Sequence, residues 1–158
     1  MNKVVSIDEI VPLMKEQINR DGCVKFTPKG NSMLPTLRNN LDSVTLMKPR
    51  FPLKKYDIVF YLRDNGQYVL HRIVKAEPDG TYIMRGDNQF CNEAGLRAEQ
   101  IIGVVKKFTR KGREYTGDEW FYKLYCIIWC RAVNLRRVLR RMRIIAGKIK
   151  RKLLGIFK

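Results

Sequence analysis

Six short runs of β-branched and aromatic residues fill the chain between Cys23 and about Arg110: CVKF, DSVTLM, YDIVFYL, YVLHRIVKA, GTYIMRG and QIIGVVKKF. Such residues fit a pleated, half-buried surface better than a helix. The runs are also shorter than ordinary helices. Turn signals separate them. Asn65-Gly66 lies between the third and fourth runs and Asp79-Gly80 between the fourth and fifth. Asn-Gly and Asp-Gly favour tight reversals, because both tolerate the left-handed backbone that a two-residue hairpin loop requires. The pattern predicts a mainly β domain assembled from hairpins. No internal repeat or low-complexity tract interrupts it.

The flanks read differently. In SIDEIVPLMKEQINRDG, Ser6 and Glu9 have capping-box spacing, and Ile10, Val11, Met14 and Ile18 follow at helical intervals. Asp21-Gly22 ends this short helix. One helix is too little for a helix-turn-helix DNA-binding domain. Residues 109–119, TRKGREYTGDE, are polar and read as a turn or linker. Beyond them Leu135, Val138, Met142, Ile145, Ile149, Leu153 and Ile156 recur every three or four residues, with Arg and Lys on the other faces. That is a basic amphipathic helix, with a bend expected near Gly147. The expected organisation is a β body over residues 1–110, and a linker and basic helical tail over residues 111–158.

Charge follows the same division. The chain carries a formal +17. Trp120 to Lys158 hold 12 Lys/Arg and no Asp/Glu, whereas residues 1–119 hold 20 against 15. Such a tail suits an anionic membrane surface, or packs its apolar stripe on the body with its charges in water. Nucleic acid fits less well, because the aromatic residues cluster at the tail's start and do not interleave with the later basic run. A single His excludes a multi-His metal centre. Cys23, Cys91, Cys126 and Cys130 have no C-x-x-C spacing and suit a reduced compartment. No metal or cofactor is expected. Asp8, Glu9, Lys15 and Glu16 break any signal-peptide core, and no run reaches about 18 apolar residues. The longest apolar stretch, WFYKLYCIIWCRAV, is interrupted by Lys123 and Arg131. The expected location is cytoplasmic, with the tail at the inner membrane face.

The stretch GNSMLPT, residues 30–36, carries the chemical question. A Ser hydroxyl is a weak nucleophile until a base takes its proton and donors hold the oxyanion that forms. His71 stands in YVLHRIV, and on a strand it shares a face with Val69 and Ile73. Apolar neighbours favour the neutral imidazole, which is the form a base requires. Asp87, in MRGDNQ, is a carboxylate that could fix the imidazole tautomer. Each residue also has a plainer reading: Ser32 as a turn residue, His71 as a packed core residue, Asp87 as a turn former.

Taken together these segments resemble the signal peptidase I superfamily of serine proteases, which includes the self-cleaving domains of SOS-type repressors. GNSMLPTL is similar to the box around that family's nucleophile, YDIVFY to its next strand, VLHRIV to its general-base strand, and RGDNQF followed by IIGVV to its closing box. The likeness runs from about Val24 to Val105. His at the base position is similar to the endoplasmic-reticulum type. The resemblance implies a signal-peptidase-like β fold over the body and a Ser32–His71–Asp87 triad that acylates Ser32. It implies an oxyanion hole using the Ser32 backbone N–H, with Asn31 beside it, and a substrate pocket involving Met33 and Pro35. A peptide or precursor protein would be the substrate, added as an extended strand to a sheet edge. Two departures stand out: Gly30 replaces a Ser that many leader peptidases use as an oxyanion donor, and the family's N-terminal membrane span has no counterpart. Self-cleavage of the repressor kind, and a catalytically idle peptide-binding or membrane-adaptor module, are the alternatives.

Overall fold

The computed structural model describes residues 6–156, with side chains over residues 6–147. Helix α1 spans Ile7–Asp21. The Ser6 hydroxyl accepts a 3.2 Å bond from the Asp8 N–H, satisfying a donor that the first turn leaves free. Glu9 makes no return bond; its N–H donates to the Ser6 carbonyl, so this is a simple N-cap and not the reciprocal box expected. Gly22, at φ 79°, ends the helix in the left-handed region that glycine enters without strain.

Eight strands follow: β1 Cys23–Phe26, β2 Ser43–Met47, β3 Ile58–Leu62, β4 Tyr68–Ala76, β5 Tyr82–Arg85, β6 Glu93–Leu96, β7 Ile101–Arg110 and β8 Arg113–Thr116. They form one sheet in the order β1-β2-β7-β3-β4-β5-β6, with β8 paired to the far end of β7. Every pairing is antiparallel. The fold is mainly β, and the six apolar runs are β1, β2, β3, β4, β5 and β7. The polar stretch read as a linker instead holds a hairpin. β7 turns into β8 through Lys111 at φ 49° and Gly112 at φ 78°, the two successive left-handed residues that match a tight turn to the twist of the strands.

Each face of the sheet carries its own apolar cluster. Ile58, Phe60 and Leu70 pack with Val11, Met14 and Ile18 of α1 on one side. Val59, Tyr61, Ile73, Met84 and Leu96 form a second cluster on the other. Because side chains alternate along a strand, consecutive residues of β4 serve different cores. His71 falls with Ile73 and Arg72 with Leu70. The site depends on this alternation.

The tail is two helices, α2 Trp120–Arg131 and α3 Val133–Ile156. The break lies at Ala132, and α3 continues through Gly147, where a bend was expected. Tyr122 and Cys126 of α2 are buried in the first core. The body therefore runs past residue 110: β8 belongs to the sheet and α2 to the core. No helix among the described residues is long and apolar enough to cross a membrane.

Candidate active site

Ser32 sits in a series of turns between β1 and β2, and the sequence explains their shape. Gly30 has φ 118°, a conformation that strains any side chain, and its N–H donates to the Asn39 side-chain oxygen at 2.8 Å. This backbone favours glycine at the position. Further on, Met33 and Leu37 sink into the first core, and the Leu37 N–H closes a turn on the Met33 carbonyl at 2.9 Å. Between these anchors Ser32 stays half-buried.

The Ser32 turn and β4 meet at Gly86. A Cβ on Gly86 would lie 2.7 Å from the Ser32 carbonyl oxygen and 3.0 Å from His71 Nε2. Only glycine permits that approach. The next residues hold the turn in place: the Asn88 N–H donates to the Ser32 carbonyl at 2.7 Å, and Asn88 Nδ2 to the Asn31 carbonyl at 3.2 Å. Ser32 and His71 line one cavity of about 230 Å³ together with Gly30, Met33, Arg63 and Gln89. Met33 is thus both a core residue and part of the cavity wall. Pro35 does not line it. The Ser32 hydroxyl and the imidazole make no hydrogen bond to one another among the described residues. Such bonds are often long before substrate is bound.

His71 is almost wholly buried. Burial pulls its imidazole down from the ordinary 6.5 to about 4, and the nearby Glu93 carboxylate only partly offsets this. The ring is therefore neutral near pH 7. Its tautomer follows from Tyr61. The phenol carries one proton and gives it to Glu93 Oε2 at 2.8 Å. It cannot also donate to His71 Nδ1, which lies 3.3 Å away. Glu93 Oε1 is 3.2 Å from the same nitrogen. With two acceptors facing it, Nδ1 bears the hydrogen. Nε2, on the Gly86 and Ser32 side, keeps the lone pair a base needs.

The carboxylate behind the imidazole is therefore Glu93, where Asp87 was expected. Asp87 lies on the other face of β4. It takes two bonds from Arg72, 2.8 Å from Nε and 2.7 Å from the second terminal nitrogen, and a short one from Thr36 Oγ1. Arg72 is fully buried, and the Tyr122 hydroxyl and Cys126 Sγ accept from its remaining nitrogen at 2.9 and 3.1 Å. Burial alone would pull the guanidinium down, but Asp87 outweighs it and holds the cation well charged. A buried cation needs such a partner. This demand, not the imidazole, fixes the direction of the Asp87 side chain.

Glu93 is tuned for its place. Burial pushes its carboxyl up, and bonds from Arg63 and Tyr61 outweigh that and leave it below the usual value. Arg63 Nε donates to Oε2 at 2.9 Å, and its terminal nitrogen makes a second, short bond to Oε1. Glu93 lies on β6, whose run EAGL carries no β-branched or aromatic residue to mark it as a strand. Arg72, by contrast, left a readable sign. An arginine alternating with a histidine inside VLHRIV must bury its charge on one face and so calls for an acid there.

The remaining expected groups are arranged as follows. The N–H of Ser32 has no hydrogen-bond partner among the described residues, so it is open to an oxyanion. Asn31 is exposed, and its side chain is likewise unengaged. On the far side of the cavity, β5 pairs with β4 only over Arg72–Ala76. Tyr68–His71 therefore has β3 on one side and no strand on the other. This free edge borders the cavity.

No family model matches the chain, and no solved structure matches it. An uncharacterized HTH-type transcriptional regulator of Haemophilus influenzae is 33% identical to it over 93 residues, 56% of this chain. The chain spans 38% of that relative's length.

Proposed function

We propose that this protein is a serine endopeptidase of the signal-peptidase type, in which Ser32 is the nucleophile, His71 the base and Glu93 the residue that orients it. The observation that carries the reading is the meeting of the Ser32 turn with the unprotonated Nε2 of His71 at Gly86, while Nδ1 faces Glu93. A peptide would lie as an extended strand along the free edge of Tyr68–His71, its main chain bonded to β4 and a small side chain in the cavity floored by Met33. Ser32 Oγ would attack the scissile carbonyl as Nε2 takes its proton. Glu93 would stabilise the imidazolium, and the Ser32 N–H would face the developing oxyanion. Nε2 would then return the proton to the leaving amine, and water would release the acyl group by the same path.

The test is labelling with a serine-directed fluorophosphonate, followed by cleavage of a peptide library. The parent should be labelled at Ser32. Ser32→Ala should lose labelling altogether, and His71→Ala should lose nearly all of it with its circular dichroism spectrum unchanged. Absence of labelling in the parent would favour the catalytically idle peptide-binding module.

The name of the Haemophilus relative favours a second reading, self-cleavage as in the repressor branch. Here the cavity would receive a segment of its own chain. Incubation at alkaline pH followed by mass spectrometry separates the two. A new terminus that forms in the parent and not in Ser32→Ala supports self-cleavage, and an intact chain that still cuts added peptides excludes it.

A further inference from the structure

The tail divides its apolar residues between two tasks. On α2, Tyr122 and Cys126 face the core, while Trp120, Leu124 and Ile128, at intervals of four, stand in solvent, Trp120 at 75% exposure and Ile128 at 58%. On α3, Leu135, Val138, Met142 and Ile145 recur at helical spacing and every one is exposed. Among the described residues nothing covers them. The cations are arranged around this surface. Helix α3 holds nine Lys/Arg and no acid. Three of them are engaged with the body: Arg136 donates to the Asp87 carbonyl at 2.6 Å and stacks over Trp129, Arg137 donates to the Phe90 carbonyl at 2.7 Å, and Arg140 lies 5.4 Å from the centre of the Phe90 ring. These contacts fix the start of α3 on the body. Arg140, Arg141 and Arg143 are exposed, as is the stripe between them.

We propose that α2 and α3 form a docking surface for an anionic lipid bilayer, with α3 lying in the plane of the interface. The occupant must accept a dense set of cations and an apolar stripe together. A nucleic acid matches the cations and leaves the stripe in water. A second copy of the chain covers the stripe but brings two sets of cations together, with no acid on either α3 to offset them. An anionic bilayer does both: the headgroups meet the Arg and Lys side chains, and the acyl boundary takes Leu135, Val138, Met142 and Ile145. This inference rests on the tail alone and does not depend on the chemistry at Ser32.

The full chain is sedimented with vesicles of phosphatidylcholine, and with vesicles that also contain phosphatidylglycerol. Binding to the anionic vesicles should be at least about tenfold tighter and should weaken as salt is raised. Reversing two charges, Arg141→Glu with Arg143→Glu, should weaken it about tenfold or more. Leu135→Ser with Met142→Ser leaves every charge in place and should weaken it comparably, because the stripe must insert. All four side chains are exposed, so circular dichroism melts should match the parent. Ser32→Ala should bind vesicles as the parent does, which keeps this test separate from the protease reading. Equal binding to both vesicle types, or none to either, overturns the proposal. So does unweakened binding by the two-serine variant, tighter binding to duplex DNA than to the anionic vesicles, or a lipid-free dimer that the two-serine variant dissociates.

Discussion

His71 and Arg72 are neighbours on one strand, each facing a carboxylate, yet the two pairs are built for different work. The Arg72–Asp87 pair is sealed: both side chains are almost wholly inaccessible and every donor is matched by an oxygen or sulfur. The His71–Glu93 pair is buried on the imidazole side only. Glu93 is about a third exposed, and Nε2 opens towards the cavity. A fully bonded pair whose guanidinium is held charged offers neither a base nor an empty position beside it. A neutral imidazole with one nitrogen committed and one free has both. Asp87 is bonded to Arg72, and the carboxylate that faces Nδ1 of His71 is Glu93.

Breaking each pair should have different consequences, and the largest belongs to the sealed one. Asp87→Asn leaves the Arg72 cation buried without its counter-charge. Removing one partner of a buried pair typically costs about 3–5 kcal/mol, so urea unfolding should shift by that amount. Glu93→Gln breaks a pair that water already reaches, and its stability should change by about 1 kcal/mol or less. Equal losses in the two variants would erase the distinction drawn between them.

Next in size is the effect of pH. The folded imidazole titrates at about 4 against 6.5 when unfolded. Between those values the unfolded chain takes up the proton and the folded chain does not. The stability that His71 confers by staying neutral is thus complete above 6.5 and is lost as the pH falls towards 4, on the order of 3 kcal/mol in all. Urea unfolding at a series of pH values should show this slope in the parent and a shallower one in His71→Gln. Arg72 stays charged throughout this window and adds no slope of its own. For the proposed reaction, the acid limb of kcat/KM should fall near pH 4, well below the ordinary imidazole value.

Glu93→Gln then asks about chemistry. The amide can no longer stabilise the imidazolium, and its NH₂ can turn to Nδ1 and favour the wrong tautomer. Losses from such a change reach about ten-thousandfold where the carboxylate is deeply buried. At this half-open site about a hundredfold in kcat is expected, with the melting curve nearly unchanged. Full activity in Glu93→Gln, together with an inactive but folded Asp87→Asn, would return the orienting role to Asp87.

The contrast also shows what a sequence can disclose. The runs that became β3, β4 and β7 announced themselves because β-branched and aromatic residues record a strand locally. Ser32 and His71 were legible for a related reason. One sits in a turn-rich loop held by two core anchors, and the other is an imidazole alternating with aliphatic residues. Glu93 was not legible. Its strand is four residues long, holds Gly95 at φ 81°, and depends on β5 for its place. Strand β8 was hidden for the same reason, since REYT pairs only because the Lys111–Gly112 turn returns it to β7. The partner of Asp87 was legible in the Arg of VLHRIV, whose buried charge demands an acid. The extension of the body into α2 was obscured by composition: α2 belongs to the basic tail by charge and to the core by its Tyr122 and Cys126 face.

The smallest effect sharpens the comparison most. In Tyr61→Phe the ring remains packed and only the hydroxyl is lost. Glu93 then loses one of the donors that hold its charge. Arg63 and Nδ1 still hold the carboxylate, so kcat should fall by only about tenfold. The freed oxygen should interact more strongly with Nδ1–H, favouring the imidazolium, and the acid limb of the pH profile should move up from about 4. A loss as large as that of Glu93→Gln, with no such movement, would mean that the phenol and not the carboxylate sets the tautomer of His71. The open pair would then be His71–Tyr61, and Glu93 would serve, as Asp87 does, to hold an arginine.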